Sequence, residues 1–240
     1  MRAILLAAGF GTRLRPLTDS LPKCLVPIAG EPLLGIWLRR LSAAGVRPFL
    51  VNTHYLSNQV ADYLAHSPYA DTVSIRHEET LLGTAGTLLA NIDFLAEEDG
   101  LLVHADNWCL ADFRQFIAAH ECRTPGCVMT MMVFRSDNPS SCGIVETDSF
   151  GVVQGFHEKV ANPPGNLANG AVYLLGTEFL QLMRTEFCGV SDFSTEVLPH
   201  LIGRIQAHEV AAPFLDVGTP ATYAQAEIMA TARIDKHDRT

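Results

Sequence analysis

Lysine is nearly missing from this chain: Lys23, Lys159 and Lys236 stand against 14 arginines in 240 residues. Basic charge is scarce as a whole, with 17 Lys and Arg against 26 Asp and Glu and a net charge of −9. This excludes the broad basic footprint of a nucleic-acid binder. An anionic ligand would have to be drawn in by a local cluster of cations, against the overall field. The six cysteines form no CxxC pair and the histidines complete no zinc spacing, so free thiols in a reducing cytosol are expected. No apolar run approaches the roughly 18 residues of a membrane span. The opening MRAILLAAGF is short and broken by Gly9, which reads as a buried strand rather than a secretory signal. A cytoplasmic protein without membrane contact is expected. Linkers rich in Gly or Ser, internal repeats and the hexapeptide pattern of a β-helix are missing as well. With 48% apolar and only 18% charged residues, the chain has the material for a large core. One domain over 1–232 is expected, in halves of about 1–125 and 126–232, with a charged, frayed tail from 233 to 240.

What is present is an alternation. RAILLAA (2–8), PFLVNT (48–53), VSIRH (73–77) and LLVHA (101–105) read as strands. Helical patterns lie between them: from Pro32 to Ala44 with a stop at Gly45, from an N-cap at Ser57 to His66, from Thr84 to Leu95, and from Ala111 to His120. Strands alternating with helices imply a mostly parallel sheet covered on both faces, a Rossmann-like three-layer α/β/α arrangement. After residue 125 the pattern changes to strand-like CVMTMMVF, GIVET, GVVQGFHE and LANGAVYLL, which suggests an antiparallel extension. Helices are expected near Gly176, after Asp192 and from the Thr219-Pro220 pair.

The glycine turn GFGTRL directly follows the first strand, where α/β sheets bind ligands. Glycines there let backbone N–H groups approach phosphate. Leu14 stands where a dinucleotide fingerprint has its third glycine, and no GK[ST] ending marks a Walker loop. Arg13 and Lys23 supply two cations nearby in sequence, and Asp106 and Asp216 each follow a short apolar stretch. A carboxylate at a strand's end suits Mg²⁺, which takes oxygen ligands and phosphate partners, although a lone Asp there also serves as a helix cap. His104 precedes Asp106 and reads as a core or supporting histidine.

The whole stretch GFGTRLRPLTDSLPK resembles the GxGTRLxPLTxxxPK signature of the sugar-1-phosphate nucleotidyltransferases. EETLLGTAGTLL is similar to that family's base-reading loop, in the form seen in guanylyltransferases acting on mannose 1-phosphate or a manno-heptose 1-phosphate. SCGIVE, HEKVANPPGN and NLANGAVYLL resemble its sugar-binding segments, and DFSTEV another family segment. The likeness runs from residue 2 to about 230. It implies a GT-A-like nucleotidyltransferase fold. It implies a nucleotide site of Ala7, Ala8, Gly9, Gly11, Thr12, Arg13, Lys23, Gly83, Thr84 and Asp106. A sugar site of Asn107, Gly143, Glu158, Lys159 and Asn169 follows, with Mg²⁺ held by Asp106 and Asp216. Arg13, Lys23, Asp106 and Lys159 take the catalytic roles. The implied reaction carries GMP from GTP to a sugar 1-phosphate, releasing pyrophosphate. The nucleophile is already an anion, so the work is positioning and electrostatics.

Departures from the pattern are Cys24 for proline, Ala105 for glycine before the aspartate, and the order Asn169-Gly170-Ala171 in place of N-A-G. Uridylyl or thymidylyl transfer, and a non-catalytic sugar-nucleotide-binding domain, are the alternatives. A glycosyltransferase is disfavoured because HADNW lacks a second acid for a DxD motif. A homodimer is compatible with the pattern, which does not fix the oligomeric state.

Overall fold

The computed structural model describes residues 1–237. In chain order the elements are β1 (Arg2–Leu6), β2 (Pro27–Ile28), β3 (Glu31–Pro32), α1 (Leu33–Ala43), β4 (Phe49–Thr53), α2 (Ser57–Ala65), β5 (Val73–His77), α3 (Gly83–Ala90), β6 (Gly100–His104), β7 (Asn107–Cys109) and α4 (Phe113–Glu121). Then come β8 (Met129–Arg135), β9 (Gly143–Thr147), β10 (Val153–Glu158), β11 (Leu167–Leu175), α5 (Thr177–Thr185), α6 (Phe193–Glu196), β12 (Ile205–Glu209), β13 (Phe214–Asp216) and α7 (Pro220–His237). The backbone expected to fray from residue 233 is helical up to His237, and residues 238–240 lie outside the described residues.

One nine-stranded sheet carries the fold. Its main path runs β10-β9-β11-β6-β1-β4-β5, with β8 paired to β11 and β12 to β8. β1 lies parallel to both β4 and β6, and β4 parallel to β5. β11 joins antiparallel to β6, so the antiparallel extension is continuous with the parallel half. The chain leaves β1 to one side for β4 and returns on the other for β6. That reversal makes a switch point, and a crevice opens beyond the carboxyl ends of β1 and β6.

Burial explains the layering. Ala3 and Leu5 of β1 face a cluster with Trp37 and Leu41 of α1, Val60 of α2 and Phe116 of α4. Ile4 faces the opposite cluster, with Leu88 of α3, Phe179 and Met183 of α5 and Phe193 of α6. A strand covered on both faces needs apolar residues in succession, which is what RAILL and FLV supply. Each large side chain so buried contributes about 1.5–3 kcal/mol. A third cluster gathers Leu14, Val26, Trp108, Val217 and Ala226 under α7.

Local signals place three of the helix starts. Asp112 accepts from the amides of Arg114 (2.9 Å) and Gln115 (3.4 Å) and caps α4. Asp192 accepts from Thr195 N at 2.8 Å and caps α6. Thr219 accepts from Thr222 N at 3.2 Å ahead of Pro220. Two expectations fail. Ser57 is the first residue of α2, not its cap; Leu56 holds that place in a left-handed turn at φ 49°. The helix expected from Thr84 starts at Gly83 and stops at Ala90, because Asn91 leaves the helical region and its side chain bonds the Thr87 carbonyl. A short 3₁₀ turn, Ile92–Leu95, covers the rest.

Candidate active site

β1 ends at Leu6 because the next amide, Ala7 N, is taken by Asn52 Oδ1 of β4 at 2.7 Å. The chain then turns over the carboxyl end of the sheet. Gly11 sits at φ +64°, and a Cβ there would meet Lys23 Cβ and Thr18 Cγ2, both at 3.0 Å. Its carbonyl accepts from the Thr18 hydroxyl at 2.8 Å and from Leu14 N at 2.9 Å. Leu14 is buried in the cluster under α7, which is why leucine stands where another phosphate turn has glycine. Its burial anchors the Thr12–Leu14 turn and leaves Arg13 pointing out, 66% exposed.

Lys23 is the opposite case. Its side chain is 7% exposed, with Nζ 2.7 Å from Asp106 Oδ2 and 3.4 Å from Asp216 Oδ1. Arg13 reaches the other oxygen of Asp216 at 3.5 Å. Two acids far apart in sequence meet because β7 and β13 pair antiparallel, with Asn107 opposite Asp216. Gly218 leaves the room: a Cβ there would lie 2.8 Å from the Arg13 guanidinium and 3.0 Å from Asp216. Burial alone would raise the Asp106 carboxyl, but the Lys23 ammonium beside it and His104 hold it below the usual carboxylate range. It is therefore an anion at neutral pH. Cys24 is buried against the same cleft, and its thiol is pushed up to about 12, first by burial and then by the charge of Asp106. It is no nucleophile at neutral pH. All six cysteines are free thiols. Ala105 is fully buried in the core, so its methyl does not crowd the cleft.

The cleft has a volume of about 330 Å³. Ala7, Ala8, Gly9, Gly11, Thr12, Arg13, Lys23, Gly83, Thr84 and Asp106 all line it, so the structure brings every residue of the expected nucleotide site together. It also brings in residues that the sequence did not reveal. Glu78, Asn52 and Thr87 are buried, line the same cleft and form one polar cluster in its wall. Glu78 Oε1 accepts from Asn52 Nδ2 at 2.9 Å and from Thr87 Oγ1 at 2.6 Å, and Oε2 accepts from Leu82 N at 3.2 Å. The signal available was the acidic pair 78–79 just before the GTAG turn.

The five expected sugar-site residues lie outside this cleft, four of them on β7, β9, β10 and β11 and Lys159 just past the end of β10. Gly143 pairs with Glu158, and a Cβ there would meet Glu158 Oε2 at 2.6 Å and the Phe156 ring at 2.7 Å. Lys159, 65% exposed, holds Glu158 at 2.9 Å. Asn107 is buried, donating to the Gly170 carbonyl at 3.4 Å. Asn169 donates to the Tyr173 hydroxyl at 2.7 Å and accepts from Ala171 N at 2.9 Å. The exchanged order has a physical basis. A Cβ at Gly170 would crowd the Met132 carbonyl at 3.0 Å and the Phe214 ring at 3.2 Å, while Ala171 takes the left-handed turn at φ 52°.

A model of the family described as "Nucleotidyl transferase" matches residues 2–233. The chain belongs to the nucleotidyl transferase family. It is 29% identical over 245 residues to the mannose-1-phosphate guanyltransferase of Schizosaccharomyces pombe, covering 99% of this chain and 66% of that one. It spans between 60% and 67% of the length of the curated relatives it matches. Among solved structures, it resembles a Bacillus anthracis protein named as a glucose-1-phosphate thymidylyltransferase, in complex with sucrose. There the TM-score is 0.83, with 20% identity over 96% of this chain and 95% of that one. It also resembles HddC from Yersinia pseudotuberculosis complexed with GMP-PN, with TM-score 0.79, 23% identity and coverage of 95% and 98%. These likenesses establish the family's fold for the chain: a mixed α/β structure on a mostly parallel sheet.

Proposed function

We propose that this chain transfers a nucleotidyl group, GMP from GTP, to a manno-configured sugar 1-phosphate, yielding a nucleotide-diphospho-sugar and pyrophosphate. The observation that carries the reading is the meeting of Arg13, Lys23, Asp106 and Asp216 at the glycine turn. Two cations and two carboxylates at one end of a cleft suit a polyphosphate. The names of the curated relatives support the sugar phosphate and the guanine. The reading treats residues 1–232 as one catalytic domain, working in the cytoplasm. Among the described residues no helix is long and apolar enough to cross a membrane.

Asp106 and Asp216 fit a divalent ion. They offer hard oxygen donors from paired strands, and the Lys23 ammonium already lies where positive charge is favoured between them. No cluster of three or more His, Cys, Asp or Glu is found among the described residues, which suits Mg²⁺ completing its shell with phosphate oxygens and water. When bound, Mg²⁺ would supply charge stabilisation at the phosphates. The chain's own residues do the remainder. The backbone of Gly9 to Thr12 cradles the phosphates. Arg13, exposed at the rim of the turn, neutralises the departing pyrophosphate. Lys159 receives the sugar's phosphate, with Asn107, Gly143, Glu158 and Asn169 shaping the sugar pocket. No general base is needed, since the attacking oxygen belongs to a phosphate that is already ionised.

At the base end, the Glu78 carboxylate accepts hydrogen bonds only; Asn52, Thr87 and Leu82 take three of its acceptor sites, and the one left on Oε2 suits an N–H donor of guanine such as N2–H₂. Gly83 and Thr84 line the same cleft, and their amides, without a protein acceptor among the described residues, suit its O6 acceptor. A uracil or adenine presents the opposite pattern at one or more of these positions and leaves a buried group unpaired, at about 1–3 kcal/mol each. Steady-state kcat/KM with GTP, ATP, UTP, CTP and dTTP, against mannose, manno-heptose and glucose 1-phosphates, tests the reading. GTP is expected to lead by tenfold or more with a manno sugar. A lead for UTP or dTTP refutes the base assignment, and one for glucose 1-phosphate refutes the sugar assignment. Sedimentation of the same preparation would show whether the active form is a homodimer.

A further inference from the structure

The base end of the cleft rests on a segment that never touches it. α3 begins without a side-chain cap, since Leu82 occupies that position. A helix start leaves several N–H groups in need of acceptors. Here the carbonyl of Ser191 takes two of them, Ala85 N at 2.9 Å and Gly86 N at 3.4 Å. A second tie runs from Phe193 N to the Thr84 hydroxyl at 2.8 Å. Gly83 lies so close to the Ser191 carbonyl oxygen that a Cβ would collide with it, and its φ is +78°. The turn over Gly83–Gly86 is therefore registered against residues 191–193 at four successive positions.

Glu196 holds that partner segment in shape. Its Oε2 accepts from Ser191 N at 2.6 Å, from Asp192 N at 2.7 Å and from the Ser191 hydroxyl at 3.2 Å. Those amide bonds also hold its carboxyl below the ordinary range. Glu196 is exposed and does not line the cleft. Because the Ser191 amide and hydroxyl are fixed by Glu196, the Ser191 carbonyl is aimed at α3. The amides of Gly83 and Thr84 have no protein acceptor among the described residues, and both residues line the cleft.

We infer that Glu196 is a positioning residue for nucleotide-base recognition, acting through the Ser191 carbonyl on the Gly83–Gly86 turn. The inference rests on the cleft being a nucleotide site but not on which base it prefers. A merely structural role would lower stability and weaken all ligands alike. A positioning role weakens selection among bases and spares the phosphate end, which is built by residues 9–23.

The test is calorimetric binding of GTP, ATP, UTP and inorganic pyrophosphate to the wild type, Glu196→Ala and Glu196→Gln, with thermal unfolding of each. The expected result is that Glu196→Ala loses about tenfold of the preference shown by the wild type, while pyrophosphate affinity stays within about twofold. Glu196→Gln, which keeps one acceptor oxygen, is expected to fall between. If Glu196→Ala fails to fold, the Gln variant alone decides, with a loss of preference of about threefold expected. An unchanged ratio among nucleotides, or an equal loss for pyrophosphate, overturns the inference. A wild type that prefers UTP refutes the guanine reading and leaves this one standing. A wild type that binds no nucleotide overturns both.

Discussion

Lys23 carries two anions on one ammonium, and its neighbours define the chemistry. Replacing Asp106 or Asp216 by Asn keeps the shape and removes one charge. Each variant is expected to lose about a hundredfold or more in turnover, with a far-ultraviolet circular dichroism spectrum like the wild type's. Near-normal rates for either would sink the metal assignment. Arg13→Ala is expected to lower kcat far more than nucleotide affinity, because its contact strengthens as charge moves onto pyrophosphate. A change confined to KM for the nucleotide would remove it from that role. A stability prediction sits at Ala171, held at φ 52°, where a Cβ is strained. Ala171→Gly is expected to stabilise the fold by about 0.5–1 kcal/mol, after the entropy that glycine costs, read from the urea midpoint. At this scale the sequence was legible where motifs are contiguous, as in the glycine turn. It did not show that Lys23 contacts Asp106 and Asp216, 83 and 193 residues away, because that contact depends on β7 pairing with β13.

Among the elements, α4 is fastened to the sheet by His120, which is fully buried with Nδ1 2.7 Å from the Thr130 hydroxyl on β8 and Nε2 3.4 Å from Asp99. Burial and the Arg123 charge pull its pKa from 6.5 to about 4, with Asp99 opposing them. The sign follows directly. Between those two values the unfolded imidazole holds a proton that the folded one does not. Stability from this group is therefore complete above 6.5 and falls as the pH drops toward 4, by about 3 kcal/mol in all. His120→Gln is expected to flatten that part of the stability profile relative to the wild type. Parallel profiles would show that His120 does not titrate in this way. The strands and most helices were readable from their period and their caps, Asp112 and Asp192 among them. Ser57 misled because serine resembles a cap wherever it precedes a helical pattern, while the real turn is made by Leu56. Glu78 was missed because a glutamate beside another glutamate reads as surface, and only β4 and α3 together bury it with Asn52 and Thr87.

For the whole molecule, alternating strands and helices indicated a parallel sheet covered on both faces, and the β6-β1-β4-β5 half has that form, while the strands after residue 125 add the antiparallel extension. Strand order was not legible, since β11 reaches β6, β8 and β9 through contacts far apart in the chain. That order places the crevice between β1 and β6 and sets the antiparallel strands with the expected sugar residues beside it. The net charge of −9 makes the cations at the crevice conspicuous, and rising salt should weaken nucleotide capture by screening them. The most direct test of nucleotidyl transfer is mass spectrometry of the products formed by the purified protein from GTP, mannose 1-phosphate and Mg²⁺. Equimolar pyrophosphate and a guanosine-diphospho-sugar are expected. Release of GDP and inorganic phosphate, or no turnover with any nucleotide and sugar-phosphate pair, would contradict it.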